Sequence, residues 1–150
     1  MAVAGKSGVS YASSVNRRGD HGSFSPTDTH ISLMASGPDF KSGFNDPLPT
    51  ANVDIAPTVA RILQFSMPAV QGRVLEEALK VGPPVTEYRV ANKMHRSSTN
   101  TGLTMKLPTD LDGQAVDPNL TKYSVELKTK ILTRGGASYT YFDQARAVRE

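Results

Sequence analysis

The sequence predicts a mixed α/β fold that ends in an antiparallel β hairpin, and three stretches of its 150 residues carry that prediction. Residues 30–36, HISLMAS, set Ile31, Leu33 and Ala35 on one face and His30 and Met34 on the other, the pattern of a short strand buried largely on both sides. Val53, Ala56, Val59, Ala60, Ile62 and Leu63 then repeat at helical spacing up to Phe65. Finally, Tyr123, Val125, Leu127, Thr129 and Ile131 alternate with Ser124, Glu126, Lys128 and Lys130, a strand with one face buried and one wet.

Taken in chain order, residues 1–29 are rich in Ser, Gly, Asn and Asp and show neither period, so they read as a long loop. The strand at 30–36 stops at Gly37-Pro38, and residues 37–52 connect it to the helix. Asp54 is placed to cap that helix by accepting a first-turn amide, with Pro57 in the turn where its missing donor costs little. A second short helix is expected at 73–80, where Val74, Leu75, Ala78 and Leu79 share a face before Gly82-Pro83-Pro84. Past Pro84 the period becomes alternating, Val85, Glu87 and Arg89 against Thr86, Tyr88 and Val90. Residues 92–120 are polar, contain Pro108 and Pro118, and read as an excursion between strands. Gly135-Gly136 after Arg134 turns the chain, and residues 137–142 return as the partner strand.

Composition removes several classes of function. Without cysteine there is no disulfide framework, thiolate nucleophile or Cys-based metal site, so any metal must use His, Asp or Glu. No apolar run approaches the roughly 20 residues that cross a bilayer, and the first twenty residues lack the apolar stretch of a secretory signal. With 17 Lys and Arg against 14 Asp and Glu, the surplus of +3 is too small and too scattered to mark a nucleic-acid face.

Chemistry-bearing motifs are sparse. The sequence has no G-x-S-x-G elbow, no Ser-x-x-Lys pair and neither of the common Gly-rich phosphate loops. Asp20-His21-Gly22-Ser23 has metal-site character, since imidazole and carboxylate both bind zinc; its plainer reading is a solvated loop pair, because one His and one Asp do not complete a four-coordinate site. His30 reads as a packed or edge histidine and His95 as a surface one. Arg73, Lys80, Arg89, Lys93 and Arg96 suggest a solvated basic face rather than an anion site. Tyr139, Tyr141 and Phe142 read as cross-strand packing.

The string from His21 through Phe65, with His-Gly-Ser, Gly-Pro-Asp-Phe-Lys and Asn-Val-Asp-Ile-Ala-Pro-Thr in that order, resembles the C-terminal catalytic-domain segment of the alkaline phosphatase superfamily, in its type I phosphodiesterase and nucleotide pyrophosphatase branch, close to sulfatases. Gln71-Gly72-Arg73-Val74-Leu75 and the terminal hairpin resemble the same proteins, so the likeness spans residues 19–80 and, more loosely, 121–150. The resemblance implies an irregular start over 1–18, the C-terminal part of an α/β/α sandwich over 19–84, and a β-rich extension with the hairpin over 85–150. It further implies a site of two divalent metals, usually zinc, flanking a Thr or Ser nucleophile that takes up the phosphoryl group of a phosphate ester. His21 matches the metal-binding histidine of the late His-Gly motif, and Asp20 is a second candidate ligand. The family's nucleophile and most of its metal-binding carboxylates precede this segment, and none of those motifs occurs here. The implied chain is therefore a C-terminal piece, inactive and poorly stable alone, that associates with the missing N-terminal part. The competing reading is a non-catalytic binding or structural module built on the β-rich half.

Overall fold

The computed structural model of the chain describes residues 24–98 and 123–149. Residues 1–18, the candidate ligands Asp20 and His21, and most of the 92–120 excursion lie outside the described residues. In order come α1 (Pro26–Thr29), a 3₁₀ turn (Asn52–Asp54), α2 (Ile55–Ile62), 3₁₀ turns at Glu76–Ala78 and Val85–Glu87, and the strands β1 (Arg89–Arg96), β2 (Tyr123–Arg134) and β3 (Ala137–Arg149). The strands form an antiparallel sheet in the order β1-β2-β3. By its internal contacts the described chain divides into one unit of residues 24–31, 94–98, 123–128 and 143–149 and another of 32–93 and 129–142.

The hairpin forms where it was expected. Gly135 and Gly136 take φ of 55° and 83°, two left-handed residues in succession, which matches the twist of a two-residue turn between antiparallel strands. Gly136→Ala is expected to cost about 1–2 kcal/mol, the strain of an L residue in that region, measured as a shift in the urea midpoint.

Helix α2 also forms, bounded by Asp54 and by Gln64, whose φ of 58° turns the chain left-handed while the Phe65 amide reaches back to the Ala60 carbonyl at 3.1 Å. Asp54 does not cap it: its carboxylate accepts the Ala51 amide at 2.9 Å and the Arg73 amide at 2.8 Å. The helix faces the opposite way from a surface helix. Pro57, Thr58 and Ala60 are buried, whereas Ile55, Ala56, Val59 and Leu63, which share about 100° of arc at 3.6 residues per turn, are exposed, Leu63 by 65%.

Three expectations are corrected. Residues 30–36 form no strand and carry no regular element, and Leu33 and Met34 are exposed, the latter by 90%, so this stretch is not the buried strand expected. Of the helix expected over 73–80, only a 3₁₀ turn at 76–78 forms. Arg73, Leu75, Glu77 and Leu79 are buried in alternation, because the run pairs with residues 39–41 through the Phe40–Leu79 bridge and the bonds Lys41 N–H to Ala78 O (2.9 Å) and Lys80 N–H to Asp39 O (2.8 Å). Residues 85–87 form a 3₁₀ turn, and the strand starts only at Arg89.

In β2 the buried residues are not the apolar set. Ser124 and Glu126 are buried while Val125 is exposed; Thr129 and Leu132 are buried farther along. The reason for the inversion at 126 is ionic: Arg96 on β1 bonds one Glu126 oxygen at 2.5 Å and Arg146 on β3 bonds the other at 2.8 Å, so the central strand turns its carboxylate toward both neighbours. Those two guanidinium groups hold Glu126 below the ordinary carboxylate range.

Candidate functional site

A buried polar cluster organises the unit built from 32–93 and 129–142. It begins in the first turn of α2. Thr58 sits four residues after Asp54 on the same helical face, and its hydroxyl donates to the Asp54 carbonyl at 2.7 Å and accepts the Leu75 amide at 3.0 Å. With Asp54 taking the Arg73 amide, the helix end is stitched to alternate amides of the run 73–75. Both groups are nearly inaccessible to water, which strengthens each bond and makes each indispensable.

Arg73 enters the core because every donor it carries finds an acceptor. Its Nε donates to the Tyr141 hydroxyl at 2.8 Å, Nη1 to Glu77 Oε2 at 2.7 Å and to the Val74 carbonyl at 3.3 Å, and Nη2 to Glu77 Oε1 at 2.6 Å and to the Pro49 carbonyl at 3.3 Å. The Arg73–Glu77 contact is the two-pronged geometry that fits a planar guanidinium to a carboxylate. Tyr141 passes the chain on, donating to Asp54 Oδ2 at 3.0 Å.

The electrostatics follow from the burial. Desolvation opposes the charge on Arg73, but the Glu77 bonds and charge outweigh it and leave the guanidinium above its ordinary range. Desolvation likewise opposes charge on Glu77, and the Arg73 bonds override it and hold the carboxyl below its ordinary range. Burial pushes the Tyr141 phenol up, an effect that Arg73 counters only in part. Burial and the Glu77 charge push Tyr88 up to about 12, with the Arg73 and Arg134 guanidinium carbons 5.5 and 5.2 Å from its ring centre. Arg134 in turn bonds Glu76 at 2.9 Å and Glu87 at 3.0 Å.

Such a cluster positions backbone rather than performs a reaction. Its cation, its phenols and its carboxylates are bonded to one another, and no nucleophile paired with a base stands among the groups described. Arg73 belongs to this core and not to a solvated basic face, while Lys80, Arg89, Lys93 and Arg96 are exposed as expected. Tyr141 packs inward as a cross-strand residue would, and its hydroxyl adds a polar role that the aromatic pattern did not signal. The signal for the pair lay in the i,i+4 spacing of Arg73 and Glu77.

The histidines sit elsewhere. His95 lies exposed on β1. His30 closes α1, a one-turn helix whose Ser25-Pro26 start was legible as a cap followed by proline at the first helical position. Its Nε2 lies 2.9 Å from Asp143 Oδ1, and the Thr29 hydroxyl donates to the Asp143 carbonyl at 2.9 Å. The Ala145 amide donates to the Phe24 carbonyl at 2.9 Å, so residues 24–30 are tied to 143–145 within their own unit. One imidazole and one carboxylate bonded to each other do not fit the four-ligand shell of a zinc ion. Among the described residues no three or more His, Asp or Glu gather to hold a metal. Nor is any helix among them long and apolar enough to cross a membrane.

Comparison of the chain with models of known protein families, with curated proteins and with solved structures finds no match.

Proposed function

We propose that this chain is the C-terminal part of a metal-dependent phosphoric-ester hydrolase of the phosphodiesterase and nucleotide pyrophosphatase type, contributing His21 as one ligand of a divalent-metal site, with Asp20 as the second candidate. The observation that supports it most is the exposed apolar arc of α2. Residues 32–36 lie exposed with no regular element, and α2, the next helix, turns its apolar arc of Ile55, Val59 and Leu63 to solvent. In an α/β sandwich the stretch before such a helix is a strand between parallel neighbours, and the helix lays its apolar face on the sheet. Both open surfaces are those that the rest of such a domain covers. Bound zinc would supply Lewis-acid activation; the nucleophile and the remaining ligands belong to that other part, and the described residues carry out no chemical step.

Zinc titration of the chain followed by calorimetry, alongside hydrolysis of a nitrophenyl phosphodiester, tests the assignment. The expected outcome is weak zinc binding that His21→Ala removes, with no turnover above buffer. Turnover by the chain alone would overturn the division of labour, and zinc binding indifferent to His21→Ala would overturn the ligand. The DNA upstream of the Met1 codon is expected to continue in frame into a Thr or Ser nucleophile motif and an earlier Asp-His-Gly; an upstream region without them removes the hydrolase reading.

A further inference from the structure

Strand β1 is an edge strand: in the order β1-β2-β3 it has a neighbour on one side only among the described residues, and each of its eight residues is exposed. An antiparallel strand directs the N–H and C=O of alternate residues to its partner and those of the intervening residues away from it. The Ser97 amide, just past the end of β1, donates to the Val125 carbonyl at 2.9 Å. Counting back in twos turns Ala91 and Lys93 to β2 and leaves the amides and carbonyls of Val90 and Asn92 pointing outward. Such a row is a template for one more strand. The side chains of this edge divide by charge. Alternate residues share a face of a strand, which sets Arg89, Ala91 and Lys93 on one side and Val90, 44% exposed, with Asn92 on the other. Arg96 and Arg146 are committed to Glu126, and Arg134 to Glu76 and Glu87. Arg89 and Lys93 bond no acid among the described residues.

We propose that the outer edge of β1 from Arg89 to Lys93 takes up an extended acidic segment of a partner protein as an added antiparallel strand, with carboxylates opposite Arg89 and Lys93 and an apolar residue opposite Val90.

Charge selects the occupant. If a second copy of β1 paired antiparallel across this edge, centred on Ala91, Arg89 of each copy would stand opposite Lys93 of the other, and like charges directly opposite are destabilising. Cations on a free edge are a common guard against such self-pairing. An acidic segment reverses the sign. Its backbone completes the hydrogen bonds of Val90 and Asn92, which supplies affinity, while carboxylates four residues apart meet the two cations and fix the register. A slip of one residue would carry both carboxylates to the Val90 side, away from Arg89 and Lys93. The surface involves none of the metal-ligand candidates, so it stands or falls separately from the hydrolase reading.

Nitrogen-15 NMR and amide hydrogen exchange of the full chain, titrated with the peptide Thr-Glu-Thr-Val-Val-Glu-Thr blocked at both ends, test it. Expected are shift changes and added protection at the Val90 and Asn92 amides, with the protection of Ala91 and Lys93, already turned to β2, unchanged. The same peptide with Gln for both Glu is expected to bind roughly tenfold more weakly, the loss of two cross-strand charge pairs. Arg89→Gln with Lys93→Gln, two changes at exposed positions, should erase that difference. Asn92→Pro, which removes an outward N–H and none that faces β2, should abolish binding. No added protection at Val90 and Asn92 with the acidic peptide would overturn the proposal. So would equal binding of the two peptides by the native chain, or protection of those amides on raising the concentration of the chain without peptide, which would make a second copy the occupant.

Discussion

Glu77→Ala is expected to lower the stability of its unit by about 3–5 kcal/mol, the usual consequence of stripping one partner from a buried ion pair. The loss is large because Arg73 keeps its charge. Its side chain is only 3% exposed, and two of its hydrogen bonds vanish with no water to replace them. The Lys41 bond survives the substitution, because it goes to the backbone carbonyl of residue 77, so the loss falls on Arg73. Replacing both members, as Arg73→Met with Glu77→Leu, should recover much of the deficit, since no uncompensated charge is then left in the core. Urea unfolding followed by circular dichroism measures both. A single variant within about 1 kcal/mol of the native chain, the size of an exposed pair, would show that water reaches the site and that the cluster is not the core described.

Gly82→Ala and Gly72→Ala should be comparably harmful for a steric reason. A Cβ on Gly82 would stand 1.7 Å from the Glu76 carbonyl oxygen, and one on Gly72 would stand 2.0 Å from that of Val53. Both obstacles are backbone, held by the 3₁₀ turns at 76–78 and 52–54, so no side chain can swing aside. We expect a loss of about 3 kcal/mol or more for each, the upper end of overpacking. Gly43→Ala supplies the comparison: φ there is 64° but nothing lies within 4 Å, so it should cost only the about 1–2 kcal/mol of left-handed strain. If Gly82→Ala proved no worse than Gly43→Ala in the same unfolding assay, the close packing of 76–82 would be refuted.

These glycines also show why 73–80 misled the helical reading. Val74, Leu75, Ala78 and Leu79 do share a helical face, yet the residues at either end must let backbone approach backbone, and Lys41 and Lys80 draw the run into pairing with 39–41. The energetic decision is made by partners that lie more than thirty residues away in sequence, as Lys41 does from Glu77. The candidate cluster was hidden for the same reason. Asp54 reads as a cap because capping is the local use of an aspartate before a helix; its actual partners, Arg73 and Tyr141, come from the run ahead of the 76–78 turn and from β3. The apolar arc of α2 was fully legible as a period, but a period does not say which way it faces.

What the sequence settled alone were the features whose causes lie within a few residues: the glycine pair that closes the hairpin, the helical period of α2, the exposed His95. Tertiary structure decided the rest. It alone chose between the two faces of β2 by bracketing Glu126 with arginines from both neighbours, set Arg73 inside rather than on a basic surface, and left 32–36 exposed and without a regular element. The physical reason is that burial of a charge or of an amide is favourable only when a distant group arrives to bond it, and no local pattern announces which group that will be.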